Sequence, residues 1–521
     1  MNSILIKSSF KNDEENIFFN GWGYTDDVVI VGREGLDDYL HGGGSLKNLG
    51  EMEGRYILAY QKENVVCVET DQFGSEPLFY FYGNGDWAVS NSFLALSEHL
   101  VNNKINLTPD KEVLDTFYVE HSICQQLIGA RTLVKEIRLA PPEVRLKIDV
   151  RLSWVTLESA SKSFDDLSYK DLLVKGLSKS ISVAKTILEN FPGTISADIT
   201  GGYDSRIILG ILKRASLDLS DINFCSNKNA VSDYNVASAL AKKYNFKINN
   251  VIAKPGRVRG EIKYDIWKYH NLGVYLPVYE PLCTEECWFH FHGGGGEILR
   301  DFYINSPIQS IKVLESKGKK KLPGLVSVMS EFCNQNGLDP GSQHSMREFY
   351  LKSRSRLHFG RSSFTSFSSN LVMPILTPEI QAAMAKVSSQ EVSDKKVLRD
   401  IYTALDFSLL EVCFDRPEKE LKKFDSIDFV RTKFDIKRKE VFGSRVNFMD
   451  DDVISRTGDA SFRESMLEDL ERVLEFKPDF KKDVESIKER IMRKEKLSSL
   501  GGDVSRILML SFLGSVDNSH W

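Results

Sequence analysis

The sequence has no apolar run long enough to cross a membrane. The mainly apolar segment 507–516 is too short, because a spanning helix needs roughly 18 to 20 such residues. A secretory apolar core is also missing, since the first residues lead directly into the charged segment 11–15. Cysteine is scarce, with seven residues in 521, an odd number set mostly in apolar surroundings. These features predict a cytoplasmic protein with reduced thiols and no membrane partner.

Positive charge is in the minority as well. The chain has 68 Lys and Arg residues against 73 Asp and Glu residues, a net charge of −5. Proteins that work on nucleic acid usually carry the opposite balance, so we expect no nucleic-acid partner and only a small polyanionic ligand. The short basic run at residues 317–321 is typical of a solvated loop.

The pattern of apolar residues changes along the chain. Short β-rich segments separated by turns fill the first part and predict stacked sheets. After Trp154, helix and strand alternate, which predicts a parallel sheet covered on both faces. The predicted elements are a helix around 169–190, a strand at 194–199, a helix at 205–215, a strand at 222–225, a helix at 232–244 and a strand near 248–252. We therefore divide the chain into domains at 1–160 and 161–440 and a helical extension at 441–521.

The clearest chemical signal lies in residues 195–206. An apolar strand enters a tight Thr200-Gly201-Gly202 turn, and a helix follows. Glycine lets backbone N–H groups close on an anion, and the helix N-terminus adds positive charge there. Thr200 and Ser205 offer hydroxyl donors, and Asp204 is a hard oxygen ligand suited to Mg²⁺. A capped strand–turn–helix connection would need no ligand, but the whole string favours a nucleotide.

The string at residues 200–205 resembles the Ser-Gly-Gly-x-Asp-Ser pyrophosphate loop of the ATP pyrophosphatase superfamily. Other segments resemble, in order, those of the asparagine synthetase family, and they are 54–56, 71–80, 132–133, 141–142, 232–241, 288–300, 372–376 and 396–399. The resemblance spans roughly residues 50–420. It implies an α/β protein, with an N-terminal stacked β-sheet, Ntn-like (αββα) domain of the class II glutamine amidotransferase type. A doubly wound parallel-sheet ATP pyrophosphatase domain with a helical C-terminal part would follow.

The resemblance also implies a reaction and its residues. A substrate carboxylate would attack the α-phosphate of ATP with Mg²⁺ present, and ammonia or an amine would then displace AMP to form an amide. The residues implied for ATP are Ile199, Thr200, Gly201, Gly202, Asp204, Ser205, Gly294 and Gly295. Asp204 and Glu297 would hold the metal, although Glu297 stands where the family has Asp and could instead cap a surface turn. Lys419 is the implied catalytic lysine, with Lys422 as the alternative, and either could belong to a solvated charge run.

Two positions bear on the substrate, and a third bears on catalysis. Family members that hydrolyse glutamine expose a nucleophilic Cys after removal of Met, whereas this chain has Asn2, so we expect a degenerate glutaminase domain. Relatives such as β-lactam synthetase lack that Cys and take nitrogen from the substrate itself. Asn370 replaces a family Glu before the 372–376 segment. We interpret His292 as a structural residue and leave it out of the catalytic set.

The hypothesis we favour is an amide ligase for a small-molecule or peptide carboxylate. The alternatives are a natural-product or peptide cyclase of the β-lactam synthetase type, a tRNA-modifying enzyme of the same superfamily, and a catalytically inactive scaffold. Acidic charge and the absence of paired cysteines near the loop disfavour the tRNA enzyme. The oligomeric state is left open, a homo-oligomer included.

Overall fold

A computed structural model describes residues 4–7, 17–160, 162–250, 258–421, 429–444 and 460–514. The strands are β1 Leu5–Lys7, β2 Ile17–Tyr24, β3 Val28–Val31, β4 Glu53–Lys62, β5 Val65–Thr70, β6 Phe79–Gly83, β7 Asp86–Ser90, β8 Arg138–Leu139, β9 Val144–Asp149, β10 Trp154–Ser159, β11 Ile195–Asp198, β12 Ile222–Cys225, β13 Cys283–Phe291, β14 Phe367–Val372 and β15 Glu440–Phe442. The chain is a mixed α/β protein.

Helices connect and cover these strands. The α-helices are α1 Gly32–His41, α2 Phe93–Asn102, α3 Lys111–Phe117, α4 Tyr169–Asn190, α5 Tyr203–Ala215, α6 Val231–Tyr244, α7 Gly260–Asn271, α8 Pro307–Gly318, α9 Pro323–Gln335, α10 His344–Phe349, α11 Arg356–His358, α12 Pro378–Ala385, α13 Ser389–Ser393, α14 Lys396–Leu405, α15 Phe462–Phe476, α16 Lys481–Met492 and α17 Leu497–Gly514. None of them, within the described ranges, has both the length and the apolar character needed to cross a bilayer.

Two sheets stack in the first part of the chain, as the sequence predicts. One has the strand order β1-β7-β6-β8, and the other has the order β10-β9-β5-β4-β2-β3-β15. Apolar residues from both sheets, such as Val68, Tyr80, Trp87 and Leu146, are buried in one shared core. Burial of the alternate side chains of each strand between the two layers is what holds them face to face.

The last strand of the larger sheet comes from far along the chain. Residues 435–439 run beside α4, and backbone N–H groups of Asp435, Lys437 and Lys439 donate to hydroxyls at 3.2, 3.0 and 3.2 Å. The accepting residues, Ser178, Ser182 and Thr186, are spaced by four and so lie on one face of the helix. The chain then enters β15, which pairs in parallel with β3.

The third sheet is parallel and has the order β12-β11-β13-β14. One face carries apolar residues, among them Ala197, Phe224 and Phe291, which pack with α4 and α5 in the largest core. The other face carries polar residues such as Ser196 and His290, and it borders a cavity of about 1010 Å³. This open polar face differs from the predicted sheet covered on both faces.

All the six cysteines described are free, and only Cys413 among them is exposed.

Candidate functional site

The first glycine turn lies where β11 ends and α5 begins, and its hydroxyls bind one another. The Thr200 N–H donates to Ser205 Oγ at 3.0 Å, and the two side-chain hydroxyls are 2.9 Å apart. Gly202 is the N-cap of α5, and its N–H donates to Thr200 Oγ1 at 3.3 Å. The Gly201 N–H donates to a carboxylate oxygen of Asp233 on α6 at 2.9 Å. The turn therefore already holds one anionic oxygen on a backbone N–H.

Ile199, the residue before the first glycine turn, packs into the core instead of facing the turn. Its side chain is fully buried in the core, and its N–H donates to the Cys225 carbonyl at 2.9 Å. This N–H bond ties the end of β11 to the end of β12, so Ile199 supports the turn from the core.

The second glycine loop meets the first because β11 and β13 are adjacent and parallel. A Cβ on Gly293 would lie 2.7 Å from Asp204 Cβ, and one on Gly296 would overlap the Asp204 carboxylate. Gly295 has a φ of +87°, and a Cβ there would overlap Leu376. A Cβ on Gly294 would lie 2.9 Å from Met373 Sδ. The glycines are thus needed for the loops to close on Asp204.

The predicted metal ligands lie together with an arginine that the sequence reading missed. Arg300 donates hydrogen bonds to both carboxylate oxygens of Asp204, and the Nη2–Oδ2 distance is 2.9 Å. It also donates to the Gly296 carbonyl at 2.9 Å. Oε2 of Glu297 is buried, and the Glu297 carboxylate has the buried Tyr350 hydroxyl as a neighbour. Burial, followed by the nearby charge of Asp204, raises the pKa of Glu297.

The carboxylates of Asp204 and Glu297 are of the kind that bind Mg²⁺. A buried carboxylate beside a second carboxylate suits a hard cation, so Asp204 and Glu297 fit the ion as a pair of ligands. Arg300 now supplies the positive charge at Asp204. The described part of the chain holds no group of three or more His, Cys, Asp or Glu side chains arranged for a metal, so further ligands would be water or phosphate oxygens.

Lys419 is held beside the first turn by two separate contacts. Its Nζ lies 2.7 and 2.9 Å from the carboxylate oxygens of Asp415, and its carbonyl accepts a 2.7 Å hydrogen bond from the Tyr203 hydroxyl. The Asp415 N–H in turn donates to the Gly201 carbonyl at 3.3 Å. Lys422 and Asn2 lie outside the described residues, so the choice between the two lysines stays as predicted.

A fully buried arginine anchors the segment that leads to Lys419. Arg206 on α5 donates to the carbonyls of Leu409, Val412 and Cys413 at 3.1, 2.6 and 3.0 Å. Its guanidinium also stacks 3.8 Å from the centre of the Phe414 ring. The helix that starts at the glycine turn therefore fixes the position of the predicted catalytic lysine.

A cluster of polar side chains on the sheet face was not predicted as a group. His290 and His292 both place Nε2 at 3.3 Å from Asp198 Oδ2. The alternation of Ser196 and Asp198 with apolar neighbours was the available signal, because a strand side chain two residues on returns to the same face. Arg300 had a weaker signal, a charged residue after an apolar pair in 298–300.

The chain matches no model of a protein family, and a search of curated proteins likewise found no match.

Proposed function

We propose that the protein is an ATP-dependent amide ligase that forms AMP and pyrophosphate. It would activate a small-molecule or peptide carboxylate and pass the acyl group to ammonia or an amine, without hydrolysing glutamine itself. The observation that carries the proposal is the closure of two glycine loops on Asp204 at the carboxyl ends of adjacent parallel strands. That edge is where open parallel sheets commonly bind ligands.

Each residue has a role that its surroundings support. Backbone N–H groups of the first turn and the start of α5 would hold the pyrophosphate portion of ATP. Those of Thr200, Gly201 and Gly202 would first have to exchange their present acceptors, and the Asp233 carboxylate on Gly201 supports the affinity of this turn for anions. Asp204 and Glu297 would hold Mg²⁺, which supplies charge stabilisation to the phosphates when bound. Lys419, next to Asp415, would stabilise negative charge at the reacting phosphate once it exchanged that partner.

The Asp204–Arg300 pair favours a second candidate, an inactive homologue. An arginine that neutralises Asp204 lowers the need for a cation there, and an inactive scaffold would keep such a pair permanently. In an active enzyme, Arg300 would have to release Asp204 for this carboxylate to serve as a metal ligand. The two candidates thus differ in whether Mg²⁺ and ATP bind together.

The test measures exchange of labelled pyrophosphate into ATP over a panel of carboxylic acids, with AMP release in the presence of ammonium as the second readout. The ligase predicts exchange that requires one acid, and Asp204→Asn should reduce it at least 100-fold. Asp218→Asn, the same change at an exposed loop position, is the matched control and should keep wild-type exchange. Binding of ATP without exchange for any acid, or no ATP binding, would favour the scaffold.

A further inference from the structure

Four polar side chains lie on one face of the parallel sheet, towards the cavity. Ser196 on β11 is in direct register with His290 on β13. Asp198 and His292 follow two residues further along, so they share the same face and the same cavity wall. This wall lies next to the second glycine loop, because Gly293 follows His292 directly.

Three of these residues form a continuous array of one hydrogen bond and one close imidazole–carboxylate contact. Ser196 Oγ is 2.7 Å from His290 Nδ1, and the other ring nitrogen of His290 is 3.3 Å from Asp198 Oδ2. A hydroxyl, an imidazole and a carboxylate in that order are the parts from which general bases are built. Burial acts to lower the pKa of His290, but the charge of Asp198 outweighs it and raises the pKa above its usual value. The imidazole can therefore accept and hold a proton.

His292 completes the array and has a defined protonation. Its Nδ1 accepts a 2.8 Å hydrogen bond from the Gly294 N–H, so the ring proton of neutral His292 lies on Nε2, facing Asp198. Burial lowers the pKa of His292, which favours this neutral form. His292 thus orients the carboxylate and ties it to the second glycine loop.

A purely structural role would suit a cluster sealed in the core, but this one is open to the cavity. The side chain of Asp198 is 34% exposed and that of His292 is 29% exposed, although they end strands in the middle of the sheet. Tyr275, Trp288 and hydroxyl groups line the remaining wall. Ser196 is only 8% exposed, but it borders the same cavity, so a substrate amine could reach the array there.

We propose that Ser196, His290 and Asp198 form a proton relay for the amine that attacks the activated acyl group, an inference that rests on the proposed ligase function. The amine nitrogen forms the C–N bond, and the acyl C–O bond breaks with its electron pair leaving on AMP. The amine gives one proton to Ser196 Oγ as the Ser196 hydroxyl proton moves to His290 Nδ1. Asp198 stabilises the resulting imidazolium, which later releases the proton to water in the cavity.

The experiment compares two nucleophiles in His290→Ala and His290→Gln variants, with the acid identified by pyrophosphate exchange. Ammonium must lose one proton before it can attack and a second as the amide forms. Hydroxylamine is largely unprotonated at neutral pH and traps acyl groups without a strong base. We expect exchange and hydroxamate formation within about threefold of wild type. Amide formation from ammonium should fall about 100-fold or more, and added imidazole should restore part of it in His290→Ala. His358→Gln, on the same cavity wall, is the matched control.

Each other result overturns the relay in a distinct way. A parallel loss of exchange, hydroxamate and amide formation would mean that His290 is structural. Wild-type amide formation in both variants would remove it from the reaction. An acyl adduct on Ser196 in the intact mass of the enzyme during turnover would replace proton transfer by covalent catalysis. Absence of exchange in the wild-type protein would instead overturn the ligase function, and the relay with it.

Discussion

Two adjacent glycines in the first turn should respond in opposite ways to the same methyl group. A Cβ on Gly201 would overlap Asp415 Cβ and lie 3.0 Å from its Cγ, while Asp415 is itself held by Lys419. A Cβ on Gly202 would meet a single atom, Thr200 Oγ1, at 3.5 Å, which is ordinary contact. Gly202 has φ −85°, which alanine adopts freely. The open side of Gly202 is the space we assign to phosphate.

The magnitudes follow from these contacts. Forcing a methyl group into packed surroundings costs about 1–3 kcal/mol, so Gly201→Ala should be destabilised by that amount. For Gly202→Ala, the weaker N-cap and the stiffer unfolded chain nearly cancel, within about 0.5 kcal/mol. Its methyl group would, however, displace one charge-assisted hydrogen bond to phosphate, worth about 1.5–3 kcal/mol, which corresponds to roughly 10- to 100-fold weaker binding of MgATP.

Urea unfolding followed by tryptophan fluorescence gives the stability of each variant, and isothermal titration with MgATP gives the affinity. We expect Gly202→Ala to unfold with the wild-type midpoint and to lose ATP affinity. Wild-type affinity in Gly202→Ala would refute the assignment of that space to phosphate. A wild-type midpoint for Gly201→Ala would refute the close contact with Asp415.

Three further predictions concern stability, pH and catalysis. Arg206→Gln should lower the free energy of unfolding by about 2–4 kcal/mol, since three carbonyls lose a buried charged donor, and an unchanged urea midpoint would contradict this. Burial, then Arg354 and His292, lowers the pKa of His358 to about 4, so the folded state binds its proton less readily than the unfolded state, whose pKa is near 6.5. The folded state therefore keeps its full stability above pH 6.5 and loses stability relative to the unfolded state as the pH falls from 6.5 towards 4. Between pH 7.5 and 5 this loss amounts to about 2 kcal/mol. His358→Gln should lose less stability over the same pH range by that amount, and equal losses in the variant and the wild type would refute the cause. Lys419→Met should reduce pyrophosphate exchange about 100-fold with little change in ATP affinity, and wild-type exchange would remove Lys419 from the reaction.

Local signals in the sequence predicted local structure well. The predicted helix at 169–190 coincides with α4, and the predicted strand at 222–225 coincides with β12. The turn between β11 and α5 was also predicted, because apolar periodicity and glycine placement are properties of neighbouring residues. The strand expected near 248–252 is described as a single bridge between Phe224 and Ile248, and residues beyond 250 lie outside the described ranges.

Contacts between distant segments could not be predicted in this way. Asp204 and Arg300 are 96 positions apart, and their pairing depends on β11 and β13 being neighbours in the sheet. The Ser196–His290 contact has the same origin. The glycines identified each loop separately. Strand order decides which side chain each carboxylate contacts, and a single sequence does not give the strand order.

The position of β15 has a consequence for how the protein is synthesised. Its partner β3 is the all-apolar segment Val28–Val31, and Gly35 and Gly443 permit the close approach of the two. The ribosome makes β15 roughly 400 residues after β3, which takes about 20 to 80 s at usual rates of elongation. During that interval the β3 edge has no strand partner on its outer side, and such an edge is a site for aggregation. A chain that ends before residue 440 would keep the edge permanently open.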